Sequence, residues 1–519
     1  MKSPTRFDKK RLRFDHVIHQ FFGGSAVVAV VVLALITVFL FREGAGFFPQ
    51  NLQNLRIYRL AGLEYVDFMR SEVEAHTAIN RALQALRLKQ LTELLAEKKN
   101  DTAAANAALA AFDQFASDFD SSVQDLRGLT SDLNDTVTAI KEKAKVREDV
   151  LQQRQFLLDA GKKADADKLV VTDINFEQEV APVRATFPAF QQANLAFRAK
   201  LESLLASAPA LPVPSSEPQF EKVQAGIRAY IATFPETERK LKRWNQFAPV
   251  PWYKSITSFL FGTEWITNSF WQDWYGVLPL LTGSLLVAFI AMIIAVPLGV
   301  AAAIYVSELA GAAEQKLIKP YLEFISAIPS VVIGFFGIEV LGDRLRDLTH
   351  WHALSWISFF PISERLNAFT AGSLLALMAI PTIFSLAEDA LNSVPKAFRE
   401  ASYALGATQV QTIFRVLLPS SISGVISAIL LGFGRVIGET MVVLLCAGNR
   451  IAIPDLSVGA FFQPVHTMTG IVAQEMGEVV RDSIHYRALF MVGLLLFVLS
   501  LCINWLAQAA VRRFKLSIG

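Results

Sequence analysis

The stretch SISGVISAILLGFGRVIGETMVVLLC, residues 421–446, is long and apolar enough to cross a bilayer as a helix, which takes about 20 residues. Two charged residues, Arg435 and Glu439, interrupt it. Because they are four positions apart, they would share one face of a continuous helix. A charge at bilayer depth is costly, so such residues usually face a partner or a water-filled path. The run therefore predicts a membrane protein with a polar path or interface along this helix.

Five further apolar runs accompany this stretch. The 519 residues are 53% apolar, with a mean hydropathy of +0.37, which is too apolar for an ordinary soluble protein. The six predicted spans are 21–41, 278–305, 321–342, 366–387, 421–446 and 487–510. Pro297, Pro329 and Pro381 lie within three of them and predict kinks or breaks. The fold class expected is an all-α, six-span membrane protein.

The basic residues at the two ends of the chain set the expected orientation. The tail 1–20 is rich in Lys and Arg, and positive flanks mark the cytoplasmic side. Six crossings then return the tail 511–519 to the cytoplasm. A cleaved signal peptide is the alternative for 21–41, but the run is long for one, and Phe41-Arg42-Glu43 is a poor cleavage site. We therefore expect an uncleaved first membrane helix, with residues 43–250 outside the cytoplasm.

Residues 43–250 are polar and carry a helical pattern. No proline occurs between Pro49 and Pro182, which permits long helices. Apolar residues recur in steps of three and four along 109–140, 180–204 and 220–234. Each set makes an apolar stripe that must pack against another helix, which predicts an antiparallel helical bundle. Breaks are expected near Asn100, near Gly161 and within Ser207–Pro218, and Pro188 should kink or divide its helix.

Residues 251–277 link this bundle to the remaining spans, residues 278–510. Five of the eight tryptophans lie between positions 244 and 275. Their amphipathic rings favour the level of the lipid headgroups, so we expect the segment along the outer membrane face. An aromatic edge of the bundle is the alternative.

A polar segment at about 396–419 separates two spans and carries a spaced motif. It contains Glu400-Ala401-Ser402, then Gly406, then Val416-Leu417-Leu418-Pro419. This resembles the EAA loop of ABC importer permeases, E-A-A, three residues, G, nine residues, I, any residue, L-P. Ser402 and Val416 depart mildly from that pattern. The resemblance implies a short helix that docks into a cytoplasmic ATPase. Its docking residues would be Glu400, Ala401, Gly406, Leu418 and Pro419.

The surrounding residues narrow the resemblance to one type of permease. The segment 434–441 is similar to the G-R-A-x-G-E-T-M signature of PstC-type phosphate permeases, and Ile328-Pro329-Ser330 to their I-P-S segment. The similarity covers about 253–519, and the helical insert is absent from ordinary members. The sister PstA-type permease is close, but the Arg–Glu signature favours PstC.

The resemblance implies a function and a set of partners. The chain would be one of two permease subunits that form a phosphate path in the bacterial inner membrane. Its partners would be a PstA-type sister permease, a dimeric PstB-type ATPase, a periplasmic phosphate-binding protein and membrane lipid, with no nucleic acid. Arg435 and Glu439 would line the path. A guanidinium offers forked donors to phosphate oxygens, and Glu439 would pair with Arg435 when phosphate is absent. A buried ion pair that only fixes packing is the alternative.

The same residues leave two alternative functions open and argue against an enzyme or a metal site. An external bundle flanked by spans also resembles a receptor input module, and a permease for another oxyanion is a further alternative. No P-loop is present, so the chain is not expected to be an enzyme or to hold a cofactor; ATP would bind the partner. The two cysteines, Cys446 and Cys502, and the seven histidines are not spaced as metal ligands usually are. Glu323 and Glu339, also near bilayer depth, receive no role.

The orientation gives a testable prediction. A reporter fused after Ala210 should report a location outside the cytoplasm, and one fused after Lys396 a cytoplasmic location, because one span separates the basic N terminus from the insert. The measurement is paired alkaline phosphatase and green fluorescent protein fusions at both positions. A cytoplasmic reading at Ala210 would overturn the topology.

Overall fold

The computed structural model describes residues 6–97, 101–351, 360–362, 364–455 and 457–515. The chain forms two compact units. The membrane unit comprises Met1–Asn51, Tyr253–Asn268 and Asp273–Gly519, and the bundle unit comprises Leu52–Trp252 and Ser269–Gln272. The predicted tails 1–20 and 511–519, and the break near Asn100, lie partly outside the described residues.

The bundle unit is helical along most of its main segment. After α1 (Arg6–Ala45), the chain enters this unit through α2 and leaves it after α10. The helices are α2 (Phe47–Leu60), α3 (Leu63–Glu97), α4 (Thr102–Ser121), α5 (Gln124–Asp159), α6 (Lys163–Ala166), α7 (Phe176–Ala185), α8 (Phe187–Ala206), a 3₁₀ turn (Pro214–Ser216), α9 (Glu217–Ile231) and α10 (Phe234–Arg243).

The apolar stripes of the sequence form the core of this bundle. Phe119 on α4, Phe197 on α8 and Phe234 on α10 are almost fully buried. The rings of Phe197 and Phe234 stack at 5.5 Å, and the His76 ring of α3 stacks on Phe119 at 4.3 Å. The predicted helical bundle is therefore found, and stacked aromatic rings from different helices contribute to its core.

The predicted helix breaks at Gly161 and Pro188 occur where backbone chemistry requires them. Gly161 follows α5 with a φ of +73°, a conformation that side-chain-bearing residues rarely adopt. Pro188 lies in the first turn of α8, and the helix is divided from α7 at Thr186. Asp101 caps α4 by accepting hydrogen bonds from the amides of Ala103 and Ala104. Proline and glycine thus set the helix ends here, as the sequence indicates.

A carboxyl group is buried within this aromatic core. The Glu72 side chain of α3 lies in a residue that is 2% exposed. Tyr230 of α9 donates its hydroxyl to the backbone oxygen of Glu72 at 2.7 Å. The pKa of the Glu72 carboxyl is raised to about 8, chiefly by burial; the Thr237 hydroxyl opposes the shift, and the nearby charge of Glu238 adds to it. In the folded protein this side chain is therefore largely protonated at neutral pH.

The membrane unit contains the remaining elements. They are α11 (Tyr253–Phe261), β1 (Trp265–Ile266), β2 (Trp274–Tyr275), α12 (Leu278–Ile304), α13 (Ala312–Ala327), α14 (Ser330–Phe336), α15 (Gly342–Thr349), α16 (Ala368–Asn392), α17 (Lys396–Ala404), α18 (Gln409–Thr412), α19 (Leu418–Ile437), α20 (Met441–Cys446), α21 (Met468–Glu475) and α22 (Ile484–Lys515). Three π-helical turns (Tyr305–Leu309, Gly337–Leu341, Ile413–Leu417) and a 3₁₀ turn (Val458–Phe462) complete it. The strands β1 and β2 pair antiparallel, with Trp265 opposite Tyr275.

Five helical segments of the described chain are long and apolar enough to cross a membrane. They are His19–Leu60, Leu278–Leu309, Ala368–Asn392, Gln409–Ile437 and Ile484–Ala509. The pair Ala312–Ala327 and Ser330–Thr349, bent by 90°, makes a sixth if it counts as one span. The predicted all-α membrane fold is confirmed.

Two of the predicted spans are not single helices, and in the first of them the break that Pro329 predicts is found. The span 321–342 crosses the 90° bend, where Ile328 is extended and Pro329 lacks the amide that a helix needs. The span 421–446 ends at Ile437 and resumes only at Met441. By contrast, Pro297 and Pro381 remain inside α12 and α16.

Small residues let α12, α16 and α19 pack closely. A Cβ added at Gly372 of α16 would lie 2.7 Å from Ile290 of α12. A Cβ at Gly432 of α19 would lie 2.7 Å from Ile383 of α16. Such approach of helix backbones is the usual way in which membrane helices associate. These contacts hold α19, the helix that carries Arg435, against α16.

The aromatic segment 251–277 is divided between the two units. Trp265 and Tyr275 are buried in the membrane unit, with ring centroids 5.6 Å apart. Trp271 belongs to the bundle unit, where its indole donates to Asp67 at 2.8 Å and Arg70 lies 5.2 Å above the ring. The alternative of an aromatic bundle edge therefore holds for Trp271. A position along the membrane face stays a prediction for the rest.

The buried Glu72 predicts a pH dependence of stability. The folded protein holds this proton up to about pH 8, whereas the ordinary pKa of the group is 4.5. The stabilising contribution is therefore complete below pH 4.5 and is lost as the pH rises towards 8. The free energy of unfolding should fall by up to about 1.4 kcal/mol per pH unit in this window.

Thermal unfolding of the detergent-purified protein, followed by circular dichroism from pH 5 to pH 8, measures this effect. Glu72→Gln should remove most of the decline, because an amide carries no titrating proton. Glu97→Gln, an exposed position at the end of α3, should keep it. An unchanged decline in Glu72→Gln would contradict the assignment.

Candidate functional site

The segment around Arg435 and Glu439 is a break between two helices. Helix α19 ends at Ile437, Gly438 follows, and α20 starts at Met441. A side-chain oxygen of Glu439 accepts a hydrogen bond from the Met441 amide at 3.2 Å. The backbone oxygen of Glu439 accepts one from the Thr469 hydroxyl at 2.8 Å. The prediction that Arg435 and Glu439 share one helix face is therefore wrong. Glu439 lies beyond the end of α19, and its side chain binds the backbone between the two helices.

Arg435 lies near the end of α19 and is exposed on this chain. Its guanidinium donates one hydrogen bond, from Nη1 to the Thr382 hydroxyl of α16, at 3.0 Å. No carboxylate of the described residues lies within 4.0 Å of it, so the predicted ion pair with Glu439 is not formed. A guanidinium has five donors, and most of them stay available here. The site presents an oriented cation rather than a packing pair.

Short polar side chains hold the backbone around the break. Thr467 caps α21 by accepting from the Gly470 amide at 3.1 Å. The Ser284 hydroxyl of α12 accepts from the Met468 amide at 2.9 Å. Together with Thr469, these residues tie the break to α12 and α21. Sequence reasoning missed these residues and Thr382; isolated hydroxyls within apolar runs are the only signal that marks them.

Glu323 and Glu339 show no comparable role. Glu323 lies on α13 and Glu339 in the π-helical turn Gly337–Leu341, and both are exposed on this chain. Within the described ranges, neither carboxylate makes a hydrogen bond or an ion pair.

The polar loop forms two short helices joined by a glycine turn. Gly406 has a φ of +80° between α17 and α18, which is the turn that the sequence indicates. Thr408 and Gln411 then form a reciprocal cap at the start of α18. Of the predicted docking residues, Glu400, Ala401 and Gly406 are exposed on the loop. Leu418 and Pro419 instead form the first turn of α19, with Leu418 half-buried.

The loop surface contains a cleft and exposed apolar side chains. The cleft has a volume of about 330 Å³. Its lining residues are Phe398, Ala401, Ser402, Leu405, Ala407, Gln411, Arg415 and Val416. Leu405, next to the glycine turn, is 89% exposed. Apolar side chains grouped in this way on a surface mark an interaction site.

A buried carboxylate holds this loop to the end of α12. Glu308 forms a bidentate pair with the guanidinium of Arg399, including an Nε–Oε2 contact of 3.1 Å. This hydrogen bonding raises the pKa of Arg399 above its usual range. The backbone oxygen of Glu308 also accepts from the Gln409 side chain at 2.6 Å. Glu308 therefore holds both α17 and α18.

A second ion pair braces the same end of the membrane unit. Lys319 of α13 contacts Glu388 of α16 at 2.5 Å, and Glu388 is buried. Asn392 donates to the same carboxylate at 3.3 Å. Sequence reasoning assigned no role to either pair, because the partners lie far apart along the chain.

Comparison with known proteins places this unit among transport permeases. The family described as "Binding-protein-dependent transport system inner membrane component" matches residues 295–516, which include the loop and the break. The chain is 36% identical over 257 residues to the probable ABC transporter permease protein YqgH of Bacillus subtilis (strain 168), covering 48% of this chain and 78% of that protein. It is 30% identical over 270 residues to the phosphate transport system permease protein PstC of Pasteurella multocida (strain Pm70), covering 50% and 82%.

A solved structure, the MetNI methionine ABC transporter in inward-facing conformations, is also similar to part of the chain. The TM-score is 0.32 and the sequence identity 21%, covering 46% of this chain and 94% of that chain.

Proposed function

The chain belongs to the inner-membrane permeases of binding-protein-dependent ABC transporters, as a PstC-type member, and we propose that it forms part of a phosphate path in a bacterial inner membrane. Membership of this family implies an ATPase and a substrate-binding protein as partners. In this proposal the sister subunit is a PstA-type permease, the ATPase is a PstB-type dimer, and a periplasmic protein delivers phosphate.

The exposed guanidinium of Arg435 carries the proposal. It lies near the end of an apolar helix, bound only to the Thr382 hydroxyl among the described residues. A cation in this position needs an anion or a polar path, because lipid cannot solvate it. Its planar fork matches two phosphate oxygens, and Thr382 fixes its orientation. Phosphate delivered to the path therefore meets a positioned donor.

Glu439 supports this path through its position at the helix break. Its carboxylate accepts from the Met441 amide, and its backbone oxygen is held by Thr469. Irregular backbone at membrane depth is tolerated where it lines a cavity or is satisfied by protein groups. We assign Glu439 to shaping the path beside Arg435 rather than to neutralising it.

The loop 396–419 is the proposed contact with the ATPase. Its exposed apolar residues and its cleft offer a docking surface, and ATP hydrolysis then belongs to the partner. The Glu308–Arg399 pair would carry displacement of this loop to α12, since both partners are held by several bonds. The chain itself holds no cofactor in this mechanism.

The orientation completes the proposal. The loop and both chain ends lie on the cytoplasmic side, and the bundle unit lies in the extracytoplasmic space. This arrangement rests on the basic ends of the chain and on the order of the spans. It would place the bundle on the side from which a binding protein delivers its cargo.

Arg435 gives the first test of the path. Arg435→Gln should leave the transporter assembled but lower phosphate uptake by at least about a hundredfold, because charged hydrogen bonds to the anion are lost. Arg435→Lys should recover only part, since an ammonium lacks the planar fork. The measurement is radiolabelled phosphate uptake in cells without other phosphate carriers, normalised to inserted protein.

Two matched variants sharpen this test. Glu439→Gln keeps a side-chain oxygen that can accept from the Met441 amide, so this variant should keep most of the phosphate uptake. Glu439→Ala removes that oxygen and should lose most of the uptake. Excess sulfate or molybdate should not compete with phosphate in the wild type. Near-normal uptake in the double variant Arg435→Gln with Glu439→Gln would overturn the path assignment.

The glycine turn gives a test of ATPase docking. Gly406→Val should weaken association with the ATPase and abolish uptake, because a β-branched residue strongly disfavours a φ of +80°. Gly406→Asn should be tolerated, since Asn adopts this conformation most readily after glycine. No neighbouring atom lies within 4 Å of the added Cβ, so the two variants differ in backbone strain rather than in packing.

Co-purification with the ATPase and phosphate uptake measure this effect. Glu400→Lys, which reverses an exposed charge on α17, should weaken association without altering insertion of the permease. Normal co-purification and uptake in both Gly406→Val and Glu400→Lys would remove the coupling role from the loop.

A further inference from the structure

A groove of about 360 Å³ lies between α19 and α22. Its lining residues are Ser427, Leu431, Asn504, Ala507, Gln508 and Arg512. Asn504, Gln508 and Arg512 are four residues apart and therefore form one stripe along α22. Ser427 and Leu431 have the same spacing on α19. The groove is thus bounded by matching stripes of two helices.

Three polar side chains in this groove have no partner within the described chain. Neither the Ser427 hydroxyl nor the carboxamides of Asn504 and Gln508 make a side-chain hydrogen bond there. All three lie within the candidate spans Gln409–Ile437 and Ile484–Ala509. Unsatisfied polar groups in hydrocarbon are costly, so this groove requires an occupant with donors and acceptors of its own.

A positive charge, that of Arg512, lies where the groove meets the end of the span Ile484–Ala509. Arg512 lies three residues beyond Ala509, the last residue of that span, and is exposed. Its Nε contacts the Gln508 backbone oxygen at 3.4 Å, which leaves its remaining donors for another ligand. Arg513 and Lys515 follow in the sequence. Basic residues at the end of a span attract anionic lipid headgroups.

The order of groups along the groove matches the order of groups in a phospholipid. Asn504 lies eight residues before Arg512, about 12 Å deeper along the helix. Ser427 lies nine residues into α19, at a similar depth of about 13 Å from its start. Leu431 and Ala507 supply apolar wall. A cation thus comes first, followed by amides and a hydroxyl, with apolar surface beside them.

We propose that this groove binds an anionic phospholipid of the cytoplasmic leaflet. Arg512 holds the phosphate, Asn504, Gln508 and Ser427 contact the glycerol and ester oxygens, and an acyl chain lies along Leu431 and Ala507. The choice of leaflet rests on the proposed orientation of the permease, and the lipid measurement below does not depend on phosphate uptake. A neighbouring polypeptide is the other candidate occupant, but it does not account for the run of basic residues beyond the span.

Lipid retention by the intact transporter complex tests the proposal. The complex is purified in detergent containing equal amounts of phosphatidylglycerol and phosphatidylcholine, and bound lipids are counted by native mass spectrometry. The wild type should retain phosphatidylglycerol preferentially. Arg512→Gln combined with Asn504→Leu should lower its affinity for phosphatidylglycerol by about tenfold or more. Arg450→Gln, an exposed arginine of another loop, should behave as wild type.

A photo-crosslinking residue in place of Asn504 identifies the occupant directly. A phospholipid adduct in native membranes supports the proposal. A crosslink to another subunit would overturn it, and so would equal retention of phosphatidylglycerol by the wild type and the Arg512→Gln, Asn504→Leu variant. Equal retention of phosphatidylglycerol and phosphatidylcholine by the wild type would also overturn it.

Discussion

In a bilayer, every backbone amide and carbonyl must find its partner within the protein, and the membrane unit is arranged around that constraint. The helix break after Ile437 is the clearest case. It exposes backbone groups at the end of an apolar helix, and Glu439 and Thr469 supply two of the missing bonds. The break is therefore stabilised by specific hydrogen bonds. It leaves Arg435 as a cation at the end of α19, beside irregular backbone.

The same constraint explains the end of the membrane unit that carries the loop 396–419. Glu308 is buried at the end of α12, where an unpaired carboxylate would be strongly unfavourable. Arg399 neutralises it with a bidentate contact and also donates to the backbone oxygens of Val394 and Leu391. The loop 396–419 is thus fixed to the end of α12, because separating the two groups would leave the Glu308 carboxylate buried without a cation. This rigidity is what coupling between a loop and a span requires.

The sequence predicts most of the helices because periodicity and proline placement are local signals. Bundle helices, the glycine turn at Gly406 and the division at Pro188 all follow from them. The relation between Arg435 and Glu439 could not be predicted in this way, since a spacing of four indicates one helix face only while the helix continues. Gly438 is a weak signal for a break within an otherwise apolar run. The Glu308–Arg399 contact joins residues 91 positions apart, and a single sequence carries no signal for such a pair.

Polar groups without partners in the chain indicate what the chain binds. In the bundle unit, the buried Glu72 is accommodated by holding its proton, so it needs no outside partner. Arginine cannot be accommodated in this way, because its guanidinium stays charged. The proposed anion path at Arg435 and the proposed lipid site that ends at Arg512 both rest on such groups. Both sites lie on α19 and its neighbours, and α19 packs closely on α16 at Gly432. In both proposals, the permease fold supplies the helices, and the polar groups without partners on them select the ligand.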